Sequence, residues 1–282
     1  MQARVGETFL KRLIVFYIPL TLFLVAMIFP FYWMLITSIK PDYELYNLRR
    51  NPFLVLHPTL KHWKYLFQET LFGRWAWNTL LIATASTIIS LFAGVLAGYS
   101  LSRLRFPGST TFGISIFVTY LVPPTLLFIP LSSVIADLKL LDSPWALILT
   151  YPTFLVPFSA WLLMGYFKTI PKELEECARI DGATRLQAMT RIILPLGTPG
   201  ILSAGIFSFT LSWNEFLYAL VFISSPENKT IPVGVVSELI KGDVFFWGSL
   251  MAGALFGSIP VAFVYSFFVE HYVSGITGAV KG

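Results

Sequence analysis

Leu13-Ile-Val-Phe-Tyr-Ile-Pro-Leu-Thr-Leu-Phe-Leu-Val-Ala-Met-Ile-Phe-Pro-Phe-Tyr-Trp-Met-Leu-Ile-Thr-Ser-Ile39 contains no charged side chain. A helix that crosses the hydrocarbon core of a bilayer needs about 20 such residues, so this stretch is long enough to span. Arg4, Lys11 and Arg12 precede it in the manner of a secretory signal. The apolar core is too long for that, however, and no small-x-small cleavage site follows. It reads as an uncleaved first span. Five further charge-poor runs follow, Trp75–Leu101, Phe112–Ile135, Trp145–Phe167, Gly200–Ile223 and Trp247–Val269. The expected fold is an all-α membrane protein of about six transmembrane helices, a single transmembrane domain over 1–282. A loop at 168–199 separates spans four and five, and residues 271–282 form a tail too polar and Gly-rich to extend the last span.

The composition agrees. Charged residues are 12% of the chain, about half the share of an ordinary soluble domain, and mean hydropathy is +0.72. So few charges could not cover so much apolar surface in water, which excludes a soluble enzyme and a disordered chain. The net charge of +5 comes from Lys and Arg gathered beside membrane helices, so no nucleic-acid partner is expected. Cys177 is the single cysteine, which rules out an internal disulfide and any multi-cysteine metal site. Lys and Arg fall almost evenly on the two sides, with a narrow majority on the side of the termini. Taken alone, that majority is a weak vote for cytoplasmic ends. Gly94-x-x-x-Gly98 and Gly253-x-x-x-Gly257 offer close helix contacts. Prolines inside the runs, among them Pro123, Pro124 and Pro157, remove backbone donors and predict kinks.

The loop between spans four and five carries the most pattern. Pro171 suits a first helical position, and Glu173, Glu175 and Glu176 crowd the first turns, where the helix dipole favours negative charge. Leu174, Cys177 and Ala178 make a small apolar face. Gly182 is a natural stop, and Thr184 with Gln187 has the spacing of a capping box for a second helix running to Pro195. Two capped surface helices are more than a linker needs, and they read as an element presented to a soluble partner.

Glu176-Cys-Ala178-x-x-Asp181-Gly182-Ala183, followed by Ile192-x-Leu194-Pro195, resembles the EAA loop of binding-protein-dependent ABC importer permeases. Residues 183–191 separate Gly182 from Ile192, which matches the family spacing, and Cys177 stands where alanine is usual. The resemblance implies a cytoplasmic loop docked on an ATPase subunit, with Glu176, Ala178, Asp181, Gly182, Ala183, Ile192, Leu194 and Pro195 as ATPase-coupling residues. Both termini are then cytoplasmic, in the inner (plasma) membrane of a prokaryote. Ser212-Trp-Asn-Glu-Phe216 and the ending Gly275–Gly282 are similar to the carbohydrate-uptake subgroup, and within it to the second permease of a maltose-type pair. Implied partners are an ATPase dimer, a second permease subunit and an extracytoplasmic solute-binding protein. By the same resemblance the tail reaches between the two ATPase subunits.

No Gly-x-x-x-x-Gly-Lys-Ser/Thr occurs, so nucleotide phosphates are not cradled by that device. The chain is expected to bind no cofactor and to catalyse nothing, with ATP and Mg held by the partner ATPase. The three histidines do not cluster, and His57, His62 and His271 read as surface residues. Glu215 lies deep in the fifth run, where an ionisable group costs roughly 2.5–3.5 kcal/mol unless it meets water or a partner. It is either a structural brace or part of a solute path. By resemblance that path runs along Tyr151, Thr153, Phe154 and Phe158 before the loop, and Ser212, Trp213, Asn214 and Glu215 after it. The rival reading is an ion- or proton-coupled secondary carrier, which would show internal repeats and buried ion ligands. No convincing repeat links residues 1–140 to 141–282, and Glu215 is the one clear buried acid.

Overall fold

A computed structural model describes residues 9, 11–47, 49–104, 106–242 and 244–279, with side chains placed up to Ser266. Arg4, Arg105, Lys281, the end of the expected tail and the His271 side chain lie outside what is described. The chain forms two compact units, one from residues up to Thr70 with Val235–Gly257, the other from Leu71–Gly234 with the remainder.

In the first unit, helix α1 (Leu13–Ile39) keeps the bounds read from its charge-free run, and none of its most apolar window is buried. The segment after it folds around Glu44, whose side chain is 2% exposed. Its carboxylate meets Arg50 at 3.2 Å, His57 at 2.7 Å and the Leu56 amide at 3.2 Å. Burial works against the Glu44 charge, but the hydrogen bonds from His57 and Leu56 outweigh it and hold the carboxyl below its usual range. His62 is buried rather than on the surface, with Nε2 2.9 Å from the Lys40 carbonyl.

The second unit is built on α2 (Phe72–Arg103). Gly94 and Gly98 lie against α5 (Pro144–Thr169). A Cβ on them would stand 2.6 Å from Ser159 Cβ and 2.9 Å from Leu163 Cβ. That is the close approach the small-residue spacing predicts.

The third run is two helices, α3 (Ser109–Leu121) and α4 (Pro124–Asp137), meeting at 94°. Pro123 and Pro124 supply no N–H, and a residue before proline is driven out of the helical region. Val122 and Pro123 accordingly have ψ of 122° and 127°.

The loop forms α6 (Lys172–Ile180) and α7 (Arg185–Leu196). Pro171 takes the cap position just before α6 rather than its first turn. Helix α7 joins α8 (Thr198–Trp213) at a 73° bend. Gly197 sits at the joint, where a Cβ would fall 2.6 Å from the Phe167 ring.

The fifth run does not continue to Ile223. It breaks at Asn214–Phe216 and resumes as α9 (Leu217–Phe222). Helix α10 (Ile231–Leu239) leads into a hairpin of β1 (Ile240–Lys241) and β2 (Val244–Phe245), in which Ile240 faces Phe245. The last helix, α11 (Trp247–Ala279), runs well past Val269, because scattered glycines lower helix propensity without removing a backbone donor. Among the described residues, four helices are long and apolar enough to cross a membrane, or up to six if each bent pair is one span.

Candidate functional site: the inter-span loop and the Tyr151–Glu215 cluster

Helix α6 ends in a Schellman turn. The Ala183 N–H donates to the Ala178 carbonyl at 3.0 Å and the Gly182 N–H to Arg179 at 3.2 Å. Gly182 has φ +90°, a conformation glycine adopts without steric cost. Thr184 and Gln187 then close a capping box, with the Gln187 amide on Thr184 Oγ1 at 3.3 Å and the Thr184 amide on Gln187 Oε1 at 2.8 Å. The corner between α6 and α7 is therefore fixed by local hydrogen bonds that need no tertiary partner.

What the corner presents is apolar. Ile180 is 84% exposed and Leu186 66%, and Leu174 and Cys177 are also open to solvent. Glu176, Asp181, Gly182 and Pro195 are exposed, whereas Ala178, Ala183, Ile192 and Leu194 are half-buried. Ile192 and Leu194 flank the fully buried Ile193, which anchors α7 in a cluster with Leu163, Phe167 and Ala204. Leu174 and Cys177 do not form the face that packs on the chain. That face is Glu175 and Ala178, the only residues of α6 that are not fully exposed.

Of the path candidates, the fold brings together Tyr151, Phe154 and Glu215. The buried Tyr151 hydroxyl donates to Glu215 Oε2 at 2.8 Å. Glu215 Oε1 accepts the Tyr218 N–H at 2.8 Å and Oε2 the Ala219 N–H at 3.1 Å. Both are orphan donors at the start of α9. Phe154 packs between Tyr151 and Tyr218, with ring centroids 5.6 and 5.8 Å away. Tyr218 in turn donates to the Pro124 carbonyl at 2.9 Å, at the start of α4.

Of the other candidates, Thr153 borders that cluster, with its side chain in hydrogen-bond range of Tyr218 while its hydroxyl donates to the Thr150 carbonyl. Phe158 meets Tyr120 at a tilt and Phe207 edge-on, and the exposed Asn214 donates to the Thr210 carbonyl. Trp213 is buried and stacked on Phe209, and the buried Ser212 hydroxyl has no hydrogen-bond partner among the described residues.

A family profile described as binding-protein-dependent transport system inner membrane component matches residues 90–278. The chain belongs to this permease family. It is 38% identical to the inner membrane ABC transporter permease protein YcjP of Escherichia coli, over 95% of this chain and 96% of that one. It is 33% identical to the trehalose/maltose transport system permease protein MalG of Thermococcus litoralis, over 98% and 99%. A crystal structure of a bacterial ABC transporter involved in the import of the acidic polysaccharide alginate shares the fold, with a TM-score of 0.78 over 92% of this chain and 95% of the other, at 22% identity.

Sequence reasoning about this permease missed Tyr218, Tyr99, Arg103 and Asp142. Tyr218 follows Glu215 at helical spacing, a signal that was available. Tyr99 and Arg103 end a span, and nothing in the local sequence ties them to the loop helix some seventy residues on. They hold Glu175, with the Tyr99 hydroxyl 2.6 Å from Oε1 and Arg103 Nε 3.9 Å from Oε2.

Asp142 accepts the Ser224 and Ser225 amides at 3.0 and 2.8 Å and the Ser225 hydroxyl, tying the loop before α5 to the loop after α9. Those bonds, the Ser225 hydroxyl first, hold its carboxyl below the usual aspartate range. Among the described residues no three His, Cys, Asp or Glu side chains gather as a metal site.

Proposed function

We propose that this permease lines half of the translocation path of a sugar importer driven by ATP, and that α6 is the helix by which it docks on its ATPase. The observation that carries this reading is the corner at Gly182. It is rigidified by its own local hydrogen bonds, yet it holds Ile180 and Leu186 out in solvent. Exposed apolar groups on a rigid turn suit burial in a partner's cleft. In this reading the loop and both termini are cytoplasmic, and two copies of the ATPase sit beneath. A second permease pairs laterally, and an extracytoplasmic solute-binding protein delivers cargo. The chain itself catalyses nothing and binds no cofactor; ATP and Mg belong to the ATPase. The sugar class is supported by the names of relatives, which include systems for trehalose/maltose and diacetylchitobiose.

Glu215 is best read as a brace in this architecture, because its three donors all belong to its own chain. The docking claim is tested by co-purification. Ile180→Glu is expected to abolish recovery of the ATPase with the permease while membrane insertion continues. Undiminished recovery would overturn it.

A further inference from the structure

Among the described residues, Glu175 is the side chain by which helix α6 bonds to a membrane span. Every side chain of Lys172–Ile180 is exposed except Glu175 and Ala178, which are half-buried, and Ala178 offers only a methyl group. Glu175 Oε1 accepts from the Tyr99 hydroxyl at 2.6 Å. Oε2 stands 3.9 Å from Arg103 Nε, within ion-pair range but too far for a hydrogen bond. Tyr99 and Arg103 are four residues apart on α2 and so share a face.

Arg103 is also tied to a second span. Its Nη2 donates to the carbonyls of Phe167 and Ile170, both at 2.7 Å, at the end of α5. Its Nε and Nη1 are buried and find no hydrogen-bond partner among the described residues. A buried guanidinium with unmade bonds, facing a carboxylate just out of reach, has a better-bonded arrangement close by. A shift of α6 by about 1 Å toward Arg103 brings Oε2 within hydrogen-bond distance.

We propose that Glu175, Tyr99 and Arg103 form the joint that carries displacement of α6 into α2 and α5, with the Arg103–Glu175 pair closing from 3.9 Å to a direct hydrogen bond when α6 is pressed inward. The proposal rests on the reading of α6 as the ATPase-docking helix. All three are positioning residues, since none is assigned contact with solute.

The exposed Cys177 is the single cysteine in the chain and takes a nitroxide label directly on α6. Glu175→Gln keeps an acceptor for Tyr99 but loses the charge that draws Arg103, and Tyr99→Phe removes the hydroxyl alone. In the full-length labelled permease, each is expected to raise nitroxide mobility. The double variant should move it no further than the larger single effect, because the residues act as one unit. In the reconstituted complex, solute carried per ATP should fall about fivefold or more while ATP hydrolysis persists. Glu175→Asp, which restores the charge, should recover part of the ratio.

Unchanged nitroxide mobility, or an unchanged transport-to-ATP ratio in Glu175→Gln, overturns the joint. So does a loss of recovered complex with normal coupling in the fraction that assembles. If the wild-type complex shows no ATP-driven uptake, the reading of the permease fails on its own, and the mobility of the label still decides whether Glu175 holds α6.

Discussion

Glu215 engages both carboxylate oxygens within its own chain, and the consequence can be measured. Glu215→Leu leaves the buried Tyr151 hydroxyl and the first amides of α9 without acceptors, a cost of about 1–3 kcal/mol for each buried group left unpaired. Glu215→Gln keeps one accepting oxygen but turns an NH2 toward a donor at the other position, so it should cost less. The expected order of thermal stability in detergent is wild type, then Gln, then Leu, with apparent solute affinity unchanged in the complex that survives. A shifted affinity at normal stability would instead place Glu215 on the solute path.

Asp142 gives a test by pH. Its folded-state pKa is depressed by hydrogen bonds from Ser225, Ser224 and Asn228. Its contribution is therefore present above the unfolded pKa of about 4 and is lost as pH falls through the lower folded value. Asn tolerates the left-handed backbone of this position, φ 58°, so Asp142→Asn isolates the charge. The melting temperature should drop at pH 7, by the equivalent of about 1–2 kcal/mol. The gap between wild type and variant should close as the pH approaches 3.

At the scale of elements, the loop helices depend on local signals that can be broken one at a time. Gly182 has φ +90° and nothing within 4 Å of a Cβ placed there, so a substitution is opposed by backbone strain and not by a clash. Gly182→Val should cost about 1–2 kcal/mol and reorient α7 relative to α6. Solute-stimulated ATPase activity of the complex should fall sharply while the permease remains in the membrane. Glu176 is exposed and makes no described contact that would stabilise the fold. Glu176→Lys should therefore leave the melting temperature within about 0.5 kcal/mol equivalent and act only through the docked partner, lowering the same stimulated activity. A stability loss in Glu176→Lys would show that this glutamate belongs to the fold instead.

On the scale of the whole molecule, α2 and α5 cross in the second unit by close approach at Gly94 and Gly98. Gly94→Val would drive a Cβ to 2.6 Å from Ser159 Cβ and 3.2 Å from the Ser159 backbone, and backbone cannot move aside as a side chain can. Overpacking of this kind costs about 1–3 kcal/mol. The expected result is a broadened size-exclusion profile and reduced recovery. Ala at the same position should do less damage than Val. Function at this scale is checked by energy source: uptake by the assembled transporter should survive an uncoupler and fail on ATP depletion, the reverse of a proton-coupled carrier.

Those observations divide what each level of description decided. Charge-free length alone gave α1 its bounds, because lipid tolerates neither a charged side chain nor an unpaired amide. Local bonding alone gave the turn at Gly182 and the capping box at Thr184, since every atom involved lies within a few residues. Pro123 and Pro124 announced a kink in the third run, but neither its 94° angle nor the break at Asn214–Phe216 could be read from period and hydropathy. A bend of that size is allowed only when other elements take up the freed polar groups. Pro124 offers its carbonyl to Tyr218, and Glu215 takes in the donors of Tyr151 and α9. The face of α6 that turns inward was likewise undecided by its own sequence. Leu174 and Cys177 look like the buried side until Tyr99 and Arg103, some seventy residues earlier, draw Glu175 in. Partners that distant meet only once the spans have packed.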